Sequence, residues 1–138
     1  MKPDYKNWIP KGMLFSLIAG TVLSFALLLA FAEHITLPEG GVGLDIGCGS
    51  GALTIACAKR NPQGKMIGID RWGKEYASFS LPLCEKNAAA EGVKNASFQR
   101  GNAVKLDFPD ESYDAVTSNY VYYSFMNYSI TALSIMAL

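Results

Sequence analysis

The sequence predicts an α/β fold, a doubly wound parallel sheet set behind one long apolar helix. Three observations carry this. Short apolar runs at Val42–Ile46, Lys65–Asp70 and Ala96–Arg100 alternate with helix-forming stretches, the signature of βαβ units. A glycine loop, Gly47-Cys48-Gly49-Ser50-Gly51, joins the first of these runs to the helix after it. Ahead of both, residues 12–32 carry no charge.

Residues 1–35 form the first zone. Residues 12–32 are mostly Leu, Ala, Phe, Val and Ile, and a run of about 20 such residues spans a bilayer as a single helix. Lys2, Lys6 and Lys11 precede it. Besides a membrane anchor, two readings stay open. Ala30-Phe31-Ala32 has the small-x-small form of a signal-peptide cleavage site, with the lysines as its basic end. Residues 24–34 also fit the helix that many folds of this type place just before their first strand.

Residues 36–123 form the second zone. Leu37-Pro38-Glu39-Gly40-Gly41 is a turn, and Val42–Ile46 is an apolar strand broken by Asp45. Ala52–Arg60 is a helix with Leu53, Ala56 and Cys57 on one face, stopped by Asn61-Pro62-Gln63-Gly64. Lys65–Asp70 is the second strand. Residues 75–91 read as a helix with Pro82 as a kink or break and Gly92 as its C-terminal cap. Ala96–Arg100 is the third strand. After a turn at Phe108-Pro109-Asp110-Glu111-Ser112, residues 113–123 contain the fourth. The third zone, residues 124–138, is uncharged, with weak helical spacing and no chemical motif.

The chain has 138 residues, enough for one small domain. Its 12 basic and 12 acidic residues balance, and no basic run or patch points to nucleic acid. The 3 cysteines, Cys48, Cys57 and Cys84, are scattered, which implies reduced thiols in a cytoplasmic setting. With no Cys-x-x-Cys and His34 as the only histidine, no metal set is expected.

The loop at 47–51 is the centre of the functional reading. Glycines let the chain turn sharply and let a ligand approach the backbone, and the following helix presents free N–H groups. Gly47-x-Gly49-x-x-Ala52 also meets the dinucleotide pattern, so an NAD-dependent oxidoreductase is one alternative. The close Gly-x-Gly-x-Gly spacing, and an acid at Asp45 where dinucleotide strands are apolar, weigh against it. Asp70 ends the second strand about twenty residues on, where an acid accepts the ribose hydroxyl protons. Trp72 either flanks an adenine or packs on a helix. Asn102, in Gly101-Asn102-Ala103, either accepts from an adenine amine or is a turn residue. Ser118, Asn119 and Tyr120 fall at the carboxyl edge of the sheet, where ligands bind in open α/β folds.

In Asp45-Ile46-Gly47-Cys48-Gly49-Ser50-Gly51, Gly68-Ile69-Asp70, Gly101-Asn102-Ala103 and Phe108-Pro109-Asp110-Glu111-Ser112-Tyr113-Asp114, the chain resembles the class I S-adenosylmethionine-dependent methyltransferases. It is most similar to small-molecule-type domains, membrane-anchored bacterial ones among them. The resemblance implies a Rossmann-like sheet of order 3-2-1-4 followed by three more strands, S-adenosyl-L-methionine as cofactor, and methyl transfer to a small-molecule acceptor. It places cofactor binding on Asp45, Gly47, Cys48, Gly49, Ser50, Gly51, Asp70, Arg71, Asn102, Ala103 and Asn119. Asp45 is expected to meet the cationic amino end, directly or through water.

Two departures stand out. Asn102 occupies a position where the family usually has Asp. The sequence also ends after strand four, so the first half of the fold alone is expected. A truncated or frameshifted copy with weak transfer, its strand-four edge open to self-association, fits that. No catalytic base is legible, since Tyr120, Tyr122 and Tyr123 also fit a core. A non-catalytic binding fragment is a further alternative. Localisation is expected to be membrane-associated, with the methyltransferase domain on the cytoplasmic side. The positive-inside rule places the lysines in the cytoplasm, and one full span then puts the domain on the other side from a cytosolic cofactor. A partial crossing, an inverted topology or a second span resolves the conflict.

Overall fold

The computed structural model describes residues 11–74 and 78–118. Helix α1 (Lys11–Glu33) leads into β1 (Val42–Ile46), α2 (Ala52–Arg60), β2 (Lys65–Asp70), α3 (Leu81–Ala90), β3 (Ala96–Arg100) and β4 (Ala115–Ser118). The strands form one sheet in the order β3-β2-β1-β4, with every pair parallel. The register sets Leu44 opposite Ile67 and Val116, and Asp45 opposite Gly68 and Thr117. Helix α2 packs on β2 and touches α3. Crossovers between parallel strands are right-handed as a rule, and these two step the same way across the sheet, which puts both helices on one face.

Strand and helix boundaries follow local chemistry. Gly51, at φ 83, breaks from β1 into α2, and Asn61 closes α2 with its amide on Cys57 and Ala58. The third helix differs from the sequence expectation. It begins at Leu81, Ser80 Oγ caps it by accepting from the Leu83 amide at 3.3 Å, and Pro82 lies in its first turn. A proline there gives up an N–H that has no helical acceptor, so Pro82 opens the helix and does not kink it. At the other end Gly92, at φ 68, sends its amide back to Ala89 while Val93 reaches Ala88, as expected of a glycine cap.

Two apolar clusters hold the sheet. The larger lies towards its amino edge and joins Ala32, Ile35, Leu37, Leu53, Cys57, Ala58 and Met66. The smaller lies towards its carboxyl edge and joins Cys48, Trp72 and Cys84, with Leu81 and Phe98 against them. Fully burying a side chain such as Leu37 or Met66 contributes about 1.5–3 kcal/mol. At the amino edge the polar groups are also closed off. Asn61, 1% exposed, accepts the Leu37 amide at 2.7 Å and donates to the carbonyls of Ile35 and Cys57 at 2.9 Å. Asn95 donates to the carbonyls of Ala58, Asn61 and Gly64.

Helix α1 meets this core only at its end. Leu28, Phe31 and Ala32 pack against the amino-edge cluster, whereas residues 12–27 are exposed, Phe15 at 73% among them. Gly12–Glu33 is long and apolar enough to cross a membrane, with a mean hydropathy of 2.4. The hydroxyls of Ser16 and Thr21 turn back onto the carbonyls of Gly12 and Leu17, at 2.9 and 2.8 Å.

Candidate functional site

The glycine loop rises from the carboxyl end of β1, and its backbone is held at almost every residue. The amides of Gly47 and Cys48 both reach the Ile69 carbonyl, and the Gly51 amide reaches Cys48. Asn87 of α3 donates to the Ser50 carbonyl at 3.0 Å. Gly49 is gripped on both its polar groups. Its N–H donates to Asp70 Oδ2 at 2.9 Å, and its carbonyl accepts from Trp72 Nε1 at 2.8 Å and Cys84 Sγ at 3.2 Å.

Gly47, Gly49 and Gly51 all have positive φ, but the last two are glycines for different reasons. A Cβ on Gly51 would press to 2.8 Å from the Phe98 ring, so that position serves packing. Among the described residues, a Cβ on Gly49 would meet nothing nearer than Phe79, at 3.9 Å. Gly49 therefore leaves room for a ligand against the backbone, as a cofactor loop requires.

Asp70 ends β2 half-buried beside this opening. Its Oδ2 holds Gly49 and its Oδ1 accepts the Trp72 amide at 2.8 Å. Each carboxylate oxygen keeps a further lone pair, so both remain competent to accept a hydroxyl. Arg71 is exposed, and its carbonyl accepts from Arg100. Trp72 packs on α3, against Leu81 and Cys84, one of the two readings open in the sequence. It lies 8% exposed in the carboxyl-edge cluster with its indole nitrogen tied to the loop. Its φ of 43 is left-handed, which costs a non-glycine residue on the order of 1–2 kcal/mol.

Asp45 is placed otherwise than a direct ligand contact would need. It is 1% exposed, and its oxygens accept from Thr54 Oγ1 at 2.6 Å and Thr117 Oγ1 at 3.0 Å. The Thr54 amide adds a third bond, so a carboxylate from β1 caps α2, whose own N-cap, Gly51, has no side chain to offer. Burial raises its carboxyl from 3.8 to about 6, against the lowering effect of the hydroxyl bonds. Thr54 and Thr117 escaped the sequence reading. The available signal was a threonine in each of two otherwise apolar stretches, since a buried hydroxyl needs a partner.

Cys48 is nearly buried, and the hydrogen bond between its thiol and that of Cys84, together with burial, pushes its pKa up. Asn102 is exposed, and its side-chain oxygen accepts the Val104 amide at 3.0 Å, an Asx turn, beside a half-buried Ala103. Ser118 closes β4 at the carboxyl edge and donates to the Ile46 carbonyl at 3.1 Å. Asn119 and Tyr120, like Tyr122 and Tyr123, lie outside the described residues. The structure thus gathers residues 47–51 and Asp70 at one opening, with Asp45 behind it and Asn102 in the turn after β3.

A parallel sheet of order 3-2-1-4, whose first strand passes through left-handed glycines into a helix while the second ends on an acid facing them, defines a Rossmann-like α/β domain. Within that class the chain belongs to the methyltransferase-domain family, whose profile matches residues 38–136. It is 33% identical over 102 residues to a demethylmenaquinone methyltransferase of Geobacillus stearothermophilus, covering 70% of this chain and 42% of that protein. Among solved structures, the YcgJ protein of Bacillus subtilis is 34% identical with a TM-score of 0.52, over 70% of this chain and 37% of that one. Geranyl diphosphate methyltransferase, solved with S-adenosylmethionine, is 19% identical with a TM-score of 0.63 over 86% of this chain and 46% of that one, a likeness of fold. The chain spans less than half the length of the curated relatives it matches.

Proposed function

We propose that residues 36–123 bind S-adenosylmethionine and serve methyl transfer to a small-molecule acceptor. The observation that carries this is the junction of β1, β2 and α2. Gly49 is open to a ligand, and Asp70 lies beside it with acceptor capacity to spare. The bound cofactor supplies a methyl carbon made electrophilic by its sulfonium. The protein's part is orientation and electrostatics. Asp70 takes the ribose hydroxyls, the α2 N-terminus faces the amino-acid portion, and Asp45 contributes negative potential from behind the loop. Proximity of this kind accounts for about 7–11 kcal/mol of a bimolecular barrier in good cases.

Titration calorimetry with S-adenosylmethionine, and separately with NAD, tests the reading. Saturable binding of the first without the second is expected. The reverse pattern would make this an oxidoreductase-type domain. The relatives named for demethylmenaquinone make that compound the first acceptor to assay.

Residues 1–35 act in this reading as a membrane anchor, with the catalytic domain on the cytoplasmic side. The support is the exposed apolar length of α1 and the way Ser16 and Thr21 satisfy their hydroxyls within the helix. Deleting residues 1–26 keeps the packed final turn of α1 and is expected to release the protein from carbonate-washed membranes. Retention of the shortened chain in the pellet would remove the anchor.

A further inference from the structure

We propose that Trp72 is a positioning residue, a latch whose indole N–H fixes the glycine loop and Asp70 in the geometry that receives a nucleotide cofactor. The inference rests on the cofactor reading above but concerns a residue that reading does not use. Gly49, Asp70 and Trp72 close a hydrogen-bonded ring. The Gly49 amide donates to Asp70 Oδ2 at 2.9 Å, Asp70 Oδ1 accepts the Trp72 amide at 2.8 Å, and Trp72 Nε1 donates back to the Gly49 carbonyl at 2.8 Å. Residues from two separate strand ends are thereby locked into one unit.

Two further observations separate this from plain packing. Trp72 holds a left-handed backbone, φ 43, with no glycine to relieve it. Such a conformation persists in a bulky residue only where the surroundings over-determine it, and it concentrates at functional sites. The second is the direction of the ring. Packing against Cys48, Cys84, Leu81 and Phe98 asks for apolar volume, which a phenyl ring also supplies. Packing does not ask for an N–H aimed at a loop carbonyl, which is what the indole delivers. A loop held in advance loses less freedom when a ligand arrives, so the latch acts on affinity.

The test separates the ring from its N–H. In a Trp8→Phe background, which leaves Trp72 as the one remaining tryptophan of the 2 in the chain, Trp72→Phe is compared with 3-benzothienylalanine at position 72. The latter keeps the bicyclic shape and lacks the donor, so it decides the matter if the phenylalanine variant fails to fold. Without any ligand, hydrogen exchange at residues 47–51 is expected to rise about tenfold while β1 and β2 keep their protection. With S-adenosylmethionine, Trp72 emission is expected to change on binding in the parent, and both replacements are expected to bind about tenfold more weakly by calorimetry, equal to 1.4 kcal/mol. Loop exchange equal to the parent's in the benzothienyl protein would overturn the latch, and so would a uniform rise across the whole sheet. A parent that shows no response to S-adenosylmethionine would sink the cofactor reading, while the exchange data would still decide whether Trp72 holds the loop.

Discussion

The two edges of the sheet spend their polar groups differently. At the amino edge Asn61 and Asn95 bond carbonyls and amides of the turns around them, and Leu37 and Met66 fill the space beneath. Everything there is turned inward. At the carboxyl edge the acids Asp45 and Asp70 hold the backbone of a loop and the start of a helix, and one side of Gly49 stays open. Both edges are well bonded. At the glycine loop the carboxyl edge combines bonding with an opening, which is the arrangement a binding site needs.

The largest effect expected from this contrast lies at the amino edge. Asn61→Leu orphans the Leu37 amide and the Ile35 carbonyl in a buried place, a loss of about 2–5 kcal/mol in unfolding free energy. Urea denaturation measures it, and cofactor affinity of the folded fraction should stay at the parent level. A loss under about 1 kcal/mol would show that water replaces the side chain and that this edge is less closed than described.

Next comes Asp45. Burial lifts its pKa from 3.8 to about 6 in the folded protein, so the folded state holds this proton more tightly than the unfolded chain. Its stabilising share is complete below pH 4 and disappears as pH rises through 6, a swing of up to about 3 kcal/mol. Asp45→Asn lacks that titration. The stability difference between parent and variant should therefore move in the variant's favour from pH 4 to pH 7. A difference flat across this range would mean that the Thr54 and Thr117 hydroxyls compensate the burial in full.

The smallest of the three effects is at Asp70. On the proposed cofactor reading, Asp70→Ala takes away the acceptors for the ribose hydroxyls and should weaken S-adenosylmethionine binding by about 1.5–3 kcal/mol, read by calorimetry. The bonds from Gly49 and Trp72 to Asp70 are only partly buried, unlike those of Asn61, so the stability loss should be smaller than at Asn61. Parent-like affinity would detach Asp70 from the site and erase the contrast between the edges.

Much of this architecture is legible in the sequence because it is local. Val42–Ile46, Lys65–Asp70 and Ala96–Arg100 are apolar runs bounded by turn residues, and each is a strand over those same residues. The loop at 47–51 announces itself through its glycines. The start of α3 is less legible, because helix-forming residues before it extend the expected span past the capped first turn that Ser80 and Pro82 spell. What local pattern does not carry is partnership across the chain. Thr117 meets Asp45 from 72 residues away, and Asn95 reaches carbonyls more than 30 residues back. Trp72 packs on a helix, as one of its two readings has it, but the bond from its indole N–H goes to a backbone carbonyl that no side-chain pattern marks.

One further consequence follows from the way α1 ends. The helix enters the core without a break, Ala32 being 1% exposed and Glu33 lying 3.9 Å from Arg60. Its 23 residues make a rod of about 35 Å. A rod clamped at one end behaves as a lever arm, and tilting it by about ten degrees swings the clamped domain through the same angle. Helix tilt in a bilayer responds to the thickness of the hydrocarbon layer. On the anchoring proposed above, the pitch of the opening beside Gly49 relative to the membrane plane would then follow the lipid around α1.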